Sequence, residues 1–412
     1  MRWTGFALLV TAFVMGFFHR MAPAVVAPDL QADFAVDATR LGLLAASYYY
    51  LYTLMQPISG LAADALGPRL AVGLLGMVGG VGSIVFGLAD SFAMASLGRL
   101  LVGFGTAFLF VGLMKYNSLW FAPSVYGRVA GLTILIGNLG AVLAAGPLAW
   151  VLGFADWRDI FVGLGVAGIV LSMVIIASVR VPEDYAHTRP DIGKVLKISG
   201  VRWGTLAMFC TVGNVFAFSG LWSLPLLQDR FGLSRAAASD HVTVLMLALS
   251  AGALSAGYLS DRLGRRRLVA QLGAAAILAA YAGLVLLPWA PGWSAMSLFI
   301  LLGLGGGWVS VIYANAKELA GGASAGFAMS VVNTGLFLGA ALVQSGFGWV
   351  LDWIDPTAAG RDYSLLAWQS GLGLCLGIAM IGAVACWRLT DSGTRLVAPS
   401  ATPSFATRTE RT

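Results

Sequence analysis

Residues 60–69 of this chain read GLAADALGPR, and residues 257–266 read GYLSDRLGRR. Both fit the pattern G-x-x-x-D-x-x-G-x-R, and the two copies lie 197 residues apart, each between two long apolar runs. A pattern that returns at one fixed offset, with a charged turn in the same place in each half, indicates an internal duplication. In an apolar chain of 412 residues this arrangement is typical of a transporter built from two helix bundles.

The composition indicates a membrane protein. Hydrophobic residues make up 58% of the sequence and charged residues 11%, whereas a soluble domain carries about 25% charged residues. Because about 20 apolar residues span the hydrocarbon core as a helix, the sequence predicts an all-α membrane protein with twelve transmembrane helices in two six-helix bundles. The predicted spans are 4–27, 39–62, 70–89, 94–121, 128–152, 158–179, 204–227, 237–260, 268–287, 294–316, 326–350 and 363–387.

The distribution of basic residues predicts the orientation. With the N-terminus inside, most of the 25 Lys and Arg fall in cytoplasmic segments, so we expect a multi-pass protein of the cell (inner) membrane with both termini cytoplasmic. The net charge of +6 therefore does not indicate nucleic-acid binding. The predicted units are an N-terminal bundle (1–179), a cytoplasmic linker (180–203), a C-terminal bundle (204–387) and a disordered cytoplasmic tail (388–412).

The repeated turn predicts a gate in each half. The first glycine lets a neighbouring helix pack closely at a helix end, the aspartate can cap a helix N-terminus or pair with an arginine, and the second glycine permits a tight turn. The alternative is a solvated loop that only sets topology. The predicted gating residues are Gly60, Asp64, Gly67 and Arg69 in the first copy and Gly257, Asp261, Gly264 and Arg266 in the second.

The two turns resemble the signature loop between helices 2 and 3 of the major facilitator superfamily, and the resemblance covers all twelve predicted helices. It implies a twelve-helix secondary carrier in which this loop steadies the cytoplasmic gate. By the same resemblance, helix-end residues such as Arg128 and Glu318 take part in the gate.

Two cations are predicted to lie inside the membrane. All 19 acidic residues fall in loops or near helix ends, whereas Arg20 lies well inside the first span and Lys115 deep in the fourth. A charge at the bilayer centre costs about 2.5–3.5 kcal/mol even on the lenient scale, and without an intramembrane carboxylate the natural partner is an external anion. We therefore expect a shared anion site; the alternative is that each side chain snorkels to the nearer surface.

His19 directly precedes Arg20 and is a candidate proton carrier, because histidine titrates near neutral pH. A neighbouring Arg⁺ disfavours the protonated ring and a bound anion favours it again, so proton and anion binding would assist each other, as symport requires. The alternative is a structural histidine that makes an interhelical hydrogen bond.

A closer resemblance covers the run from His19-Arg20 to Tyr52 and Gln56, which is similar to the anion:cation symporter branch of the superfamily. That branch, which includes sugar-acid carriers, has an Asp-Arg pair in helix 1 and an Arg five residues before Trp-Phe in helix 4. Here histidine replaces the aspartate, and Lys115 replaces the second arginine. The resemblance implies that Arg20 and Lys115 hold a substrate carboxylate, that Tyr52 hydrogen-bonds it and that His19 takes the proton.

The sequence thus predicts a monomeric secondary transporter that works by alternating access and carries a small carboxylate- or phosphate-bearing organic anion with protons. The alternatives are an exporter of siderophores, drugs or other amphiphiles and, less favoured, a sensor with a carrier-like fold. No catalytic constellation, metal-ligand spacing or cofactor motif is recognised, so an enzyme is not expected. Further candidates for the substrate site are Tyr48, Gln56, Asn117, Asn214, Trp222 and Asn333.

Overall fold

The computed structural model describes residues 2–121, 123–180, 191–321, 324–358 and 362–392; for residues 60–65, 123–124, 126–128 and 130 it describes the backbone alone. Helices dominate the described part because a backbone within lipid must satisfy its own hydrogen bonds. In chain order these are α1 (Arg2–Met21), α2 (Pro23–Phe34), α3 (Ala38–Gly87), α4 (Phe92–Thr106), α5 (Leu109–Trp120), α6 (Pro123–Leu143), α7 (Gly146–Val151), α8 (Trp157–Ser178), α9 (Ile192–Lys197), α10 (Ser199–Met208), α11 (Asn214–Ala217), α12 (Ser223–Phe231), α13 (Arg235–Leu263), α14 (Arg266–Leu286), α15 (Trp293–Val309), α16 (Ile312–Ala320), α17 (Ala325–Ile354) and α18 (Leu365–Trp387). Two π-helical segments, Phe209–Gly213 and Phe218–Trp222, flank α11.

The chain crosses the membrane twelve times, as predicted. Eleven segments of the described chain are long and apolar enough to span a bilayer. The remaining predicted span, 39–62, is the first part of α3, which continues into the next span. Gly67 divides α3 with φ 71° and ψ 160°, a conformation that favours glycine, so α3 is two membrane helices joined at the predicted turn.

An even number of crossings returns the chain to the side on which it started. We call the side that carries Arg2 and Trp387 the terminal side and the opposite face the distal side. Contacts at the terminal side include the phenol of Tyr116, which donates to Arg2 O at 3.0 Å, and Arg267, which donates to Trp387 O at 2.6 Å.

The duplication is visible in the packing of two glycines. A Cβ on Gly103 of α4 would lie 2.2 Å from Tyr48 O of α3, and a Cβ on Gly303 of α15 would lie 2.3 Å from Leu245 O of α13. Leu245 follows Tyr48 by the same 197 residues that separate the two turns. In both halves, therefore, a glycine lets one helix lie against the backbone of the same partner helix.

The beginning of the predicted disordered tail is ordered. Leu389 is buried, and Asn315 of α16 donates to Thr390 O at 3.0 Å and accepts from Ser392 N at 2.9 Å. The prediction of disorder from residue 388 is wrong for residues 388–392, because these residues complete hydrogen bonds of a buried asparagine. Residues 393–412 of the tail and 181–190 of the linker lie outside the described residues.

Candidate binding site between the two bundles

Helices α3 and α17 form the central seam between the two halves of the protein. Tyr50 of α3 and Ser345 of α17 share a hydrogen bond of 3.0 Å between their hydroxyl oxygens. Further toward the terminal side, Asn333 Nδ2 donates to Gln56 Oε1 at 2.8 Å. Polar side chains of both halves therefore meet directly along this seam.

Arg20 lies in a box of aromatic rings at the seam, near the end of α1. Its guanidinium carbon lies 4.5 Å from the ring centroids of Phe17 and Phe337, 5.0 Å from that of Tyr52 and 5.9 Å from that of Tyr48. Each ring face attracts a cation, by about 2 kcal/mol or more where the pair is desolvated. We call these four rings the aromatic box; three come from the first half of the chain and Phe337 comes from the second.

Arg20 is a cation whose neighbours supply no counter-charge. It is 4% exposed, and the ion pairs among the described side chains are made by Arg158, Arg235 and Arg266 instead. Its Nε has no hydrogen-bond partner within the described part of the protein. Because a buried charge without a partner is unfavourable, the arrangement suits an anion that enters the box and completes the pair.

A polar network lies one helical turn from the aromatic box toward the terminal side. Gln56 follows Tyr52 by four residues, and Asn333 precedes Phe337 by four. Besides accepting from Asn333, Gln56 donates to Ala107 O at 3.3 Å, and Asn333 accepts from the phenol of Tyr313 at 2.6 Å. The structure therefore brings Gln56 and Asn333 together, with their amides bonded to each other across the seam.

The distal ends of the two halves are joined by a carboxylate. Asp352 at the end of α17 accepts hydrogen bonds from the backbone N–H of Thr39 at 2.6 Å and of Ala38 at 3.3 Å, and from the hydroxyls of Thr39 and Tyr363. Burial, followed by the hydrogen bond to Asp352, raises the pKa of Tyr363 above its usual range, so this phenol stays a neutral donor. We call Ala38, Thr39, Asp352 and Tyr363 the distal latch.

Two more contacts close the distal side. Arg235 at the start of α13 pairs with Asp29 of α2 at 2.8 Å. Thr243 Oγ1 of α13 accepts from Gly146 N of α7 at 3.2 Å. These two contacts, the distal latch and the Tyr50–Ser345 bond join the two halves between the distal surface and the Gln56–Asn333 pair. Contacts on the distal side therefore hold the halves together.

Comparison with known sequences identifies the family. The sequence matches the Major Facilitator Superfamily over residues 8–344 and again over residues 204–410. The chain belongs to the Major Facilitator Superfamily.

Similar proteins agree with this identification. The hexuronate transporter of Bacillus subtilis (strain 168) is 27% identical over 401 residues, which cover 90% of this chain and 92% of that protein. The galacturonate transporter of Dickeya chrysanthemi is 24% identical over 184 residues, 45% of this chain and 53% of that one. These relatives are named for sugar acids, so the resemblance to the anion:cation symporter branch is confirmed. The solved D-xylose-proton symporter shares the fold, with a TM-score of 0.74 at 14% identity over 94% of this chain and 98% of that one.

Lys115 is separated from Arg20 in this superfamily member. Its neighbour Tyr116 reaches Arg2 O, so this part of α5 is level with the start of α1. Arg20 lies 18 residues after Arg2 along α1, which is about 27 Å at 1.5 Å per residue. The structure therefore does not form the predicted site shared by Arg20 and Lys115, because the two residues lie at different depths of the bundle.

His19 faces the interior of the first bundle and not the aromatic box. It lines a cavity of about 40 Å³ together with glycines of α3 and α8, and its ring centroid lies 5.7 Å from that of Phe161. Nδ1 is buried without a hydrogen-bond partner among the described residues. The two adjacent side chains diverge because consecutive residues of a helix are rotated by about 100°. An anion on Arg20 would therefore not touch the His19 ring.

Arg99 is a third cation inside the membrane, which the sequence analysis did not single out. It is 1% exposed and donates to His19 O at 2.6 Å and to Ala45 O at 3.3 Å. Its guanidinium carbon lies 5.0 Å from the ring centroid of Tyr48. Arg99 thus connects α4 to the first and second spans behind the box. Its position eight residues into a helix is the sequence signal that could have identified it as an intramembrane cation.

Three predicted substrate residues make their hydrogen bonds within one half of the protein, although the ring of Trp222 also lies against Gly42 of α3 in the other half. Asn117 donates to Thr133 Oγ1 at 3.0 Å, between α5 and α6. Asn214 donates to Cys375 O at 2.7 Å, and Trp222 donates to Gln344 O at 2.9 Å and stacks on Phe347. Of the nine predicted substrate residues, the structure therefore gathers Arg20, Tyr48, Tyr52, Gln56 and Asn333, and places Lys115, Asn117, Asn214 and Trp222 elsewhere.

The second copy of the repeated turn forms a charged cluster. Arg266 bonds Asp261 at 2.7 Å and Glu318 at 2.9 Å, and Gly264 takes the left-handed conformation with φ 62°. This brings Glu318 to the turn as the resemblance implied. Gly257 differs from the prediction, since it lies six residues before the end of α13 and no described atom comes within 4 Å of a Cβ built there.

The first copy is described only in part. Gly67 forms the predicted turn, and Arg69 follows it near the start of the third span. The side chains of Asp64 and Arg128, and the surroundings of Gly60, lie outside the described residues.

Proposed function

We propose that this protein is a secondary active transporter that carries a small organic anion, of the sugar-acid class, by alternating access and with protons. The observation that carries this proposal is Arg20, a buried cation at the seam between the halves whose aromatic box supplies no negative charge. The names of the hexuronate and galacturonate relatives support the choice of a carboxylate. Tyr48, Tyr52, Gln56 and Asn333 complete the proposed site, and Lys115 remains a candidate for the path between the site and the terminal side.

In the proposed cycle the two bundles, residues 1–179 and 204–387, rock about the seam around the bound anion. The terminal side is the cytoplasmic side, as the positive-inside rule predicts, in an inner membrane. The charged cluster of Arg266, Asp261 and Glu318 then belongs to the cytoplasmic gate, and the distal latch to the outer one. The protein works as a monomer, since each chain contains both bundles.

The decisive experiment is uptake into proteoliposomes that contain the purified full chain. We expect radiolabelled galacturonate to accumulate when the outside is acidic, because protons that move down their gradient would bring the anion with them. One co-transported proton also cancels the charge penalty of about 2.3 kcal/mol per 100 mV that an anion meets at a negative interior. If the protein takes up no carboxylate but exports amphiphiles, the exporter alternative is favoured. A protein that moves neither class would favour the sensor.

His19 is the proposed proton carrier, with a structural histidine as the open alternative. If it carries the coupling proton, His19→Gln should abolish the stimulation of galacturonate uptake by an acidic exterior while leaving exchange of internal for external galacturonate intact. The comparison variant is His241→Gln. The His241 ring lies near the start of α13, where its Nδ1 is 2.9 Å from Ala237 O, and not inside the first bundle. Acid stimulation that persists in His19→Gln would assign the histidine to packing.

Asp352→Asn should open the distal side. The asparagine amide is neutral, and an NH2 group replaces one of the two carboxylate oxygens. That NH2 group would face the backbone N–H groups that the oxygen accepted from, so those hydrogen bonds would be lost. Each charge-assisted hydrogen bond is worth about 1.5–3 kcal/mol, so the distal-open population should rise about tenfold or more. Spin labels at Arg40 and Asp355 report the separation of the two halves by pulsed electron resonance. A distance distribution identical to that of the parent would show that the latch does not hold the halves together.

A further inference from the structure

A second group of polar atoms lies beside the aromatic box, on its distal side. The phenol oxygen of Tyr49 and both amide atoms of Gln344 are buried, and none has a hydrogen-bond partner among the described residues. Gln344 is 1% exposed, and Tyr49 is fully buried. Buried polar groups are nearly always paired, so three unpaired atoms in one place need an explanation.

These atoms converge on Gly220. A Cβ built on Gly220 would lie 3.5 Å from Tyr49 Oη, 3.7 Å from Gln344 Nε2 and 3.7 Å from Met21 Sδ. Tyr49 belongs to α3, Gln344 to α17, and Gly220 to the π-helical segment Phe218–Trp222. Both halves of the protein therefore contribute to this point, as they do to the aromatic box.

The group is continuous with the aromatic box. The ring of Tyr49 stacks on Phe337 with centroids 6.1 Å apart, and it meets Tyr48 edge to face at 5.2 Å. Met21, whose sulfur borders the group, directly follows Arg20. A ligand whose anionic end lies on Arg20 would therefore extend toward Tyr49 and Gln344.

We propose that Tyr49, Gln344 and Gly220 form a hydroxyl-binding subsite for the uncharged end of the transported anion. An amide donates and accepts, and so does a phenol, which matches alcohol groups that do the same. No charged side chain takes part in the group, so a second carboxylate or a phosphate would be buried there without a counter-charge. The subsite thus selects hydroxylated monoanions over plain monocarboxylates and over dianions.

The missing side chain of Gly220 leaves the space that a hydroxyl group of the ligand would occupy. Both polar neighbours stand at ordinary van der Waals distance from a Cβ at this position, so Gly220→Ala needs no shift of the protein. The added methyl group would occupy the place where a ligand hydroxyl meets the amide and the phenol. Hydroxylated ligands should therefore bind more weakly to this variant, without any loss of fold.

The test compares two probes of equal carbon number, gluconate and hexanoate, by titration calorimetry on the purified full chain. It rests on the proposed anion site, because both probes must bind through Arg20. We expect the parent to bind gluconate at least about tenfold more tightly than hexanoate, since a site built for hydroxyl groups rejects an analogue that lacks them. Three variants test the subsite: Gln344→Met, Tyr49→Phe and Gly220→Ala. Each should lower the affinity for gluconate about three- to tenfold and leave the affinity for hexanoate within about twofold of the parent's.

Gly346→Ala on α17 is the matched control, because its Cβ would meet only a leucine methyl group at 3.6 Å. Equal affinities for the two probes in the parent, or variants that weaken both probes alike, would overturn the subsite while leaving the anion site standing. Binding of either probe that is unaffected by Arg20→Ala would instead overturn the proposed function.

Discussion

Arg20→Ala should abolish binding and transport of the anion while leaving the protein folded. The variant removes the cation that the four rings surround, so a bound carboxylate would lose the charge that it pairs with there. Breaking a buried charge pair by removing one partner costs about 3–5 kcal/mol, which corresponds to a loss of affinity of at least about 100-fold. Arg20→Lys keeps the charge but not the flat guanidinium that stacks between rings, and an intermediate loss is expected.

Thermal unfolding separates this effect from misfolding. Without ligand, the cost of burying the Arg20 charge opposes the attraction of the four rings, so the unfolding midpoint of Arg20→Ala should stay within a few degrees of the parent's. Lys115→Ala is the comparison variant, because the neighbouring Tyr116 contacts the start of α1, so Lys115 lies toward the terminal side and away from the box. A larger loss of galacturonate binding in Lys115→Ala than in Arg20→Ala would move the anion site away from the box.

Gly103→Ala should destabilise the first bundle by about 2–3 kcal/mol and lower the unfolding midpoint by several degrees. The added Cβ would lie 2.2 Å from Tyr48 O and 2.9 Å from Tyr48 C. These are backbone atoms that cannot rotate away, so α4 and α3 must separate. Because Tyr48 belongs to the aromatic box, the affinity for the anion should fall as well.

The duplication supplies a second case and the sequence supplies a control. Gly303→Ala, whose Cβ would lie 2.3 Å from Leu245 O, should destabilise the second bundle to a similar extent. Gly377→Ala on α18 adds the same methyl group where no described atom lies within 4 Å, so its midpoint should stay within about one degree of the parent's. Tryptophan fluorescence during heating measures the unfolding midpoints of the three variants. Equal midpoints for Gly103→Ala and Gly377→Ala would contradict the packing argument.

Local patterns were enough to predict the turns and the number of crossings. Gly67 and Gly264 both take the positive φ that a tight turn requires, and the aspartate and arginine of the second copy pair as expected. Such features depend on residues close together in the chain. The break in the first span at Ala22 and the π-helical segments around α11 were not predicted, because apolar periodicity alone does not distinguish a continuous helix from one with a local bulge.

Site residues were harder to predict than helices. Arg20 was selected for its charge, and Tyr52 and Gln56 were selected through the family resemblance; all three lie at the seam. Asn117 and Asn214 were selected as polar residues of apolar spans, and they bond within one bundle. Phe337 and Gln344 carried no signal, since an aromatic residue or a single amide in an apolar helix is most often packing. Their proposed role follows from the side chains that lie opposite them, about 290 residues away in the chain.

By itself the sequence determined a duplicated membrane protein with twelve crossings and a glycine turn in each half. These properties follow from hydropathy, backbone hydrogen bonding and conformational preference, all of which act over a few residues. Only the tertiary structure decided that Arg20 faces the partner bundle while His19, its neighbour, faces inward, and that Lys115 lies at another depth. Which side of a helix meets which partner depends on how separate helices rotate and pack, and glycines such as Gly103 fix that packing through contacts with distant backbone.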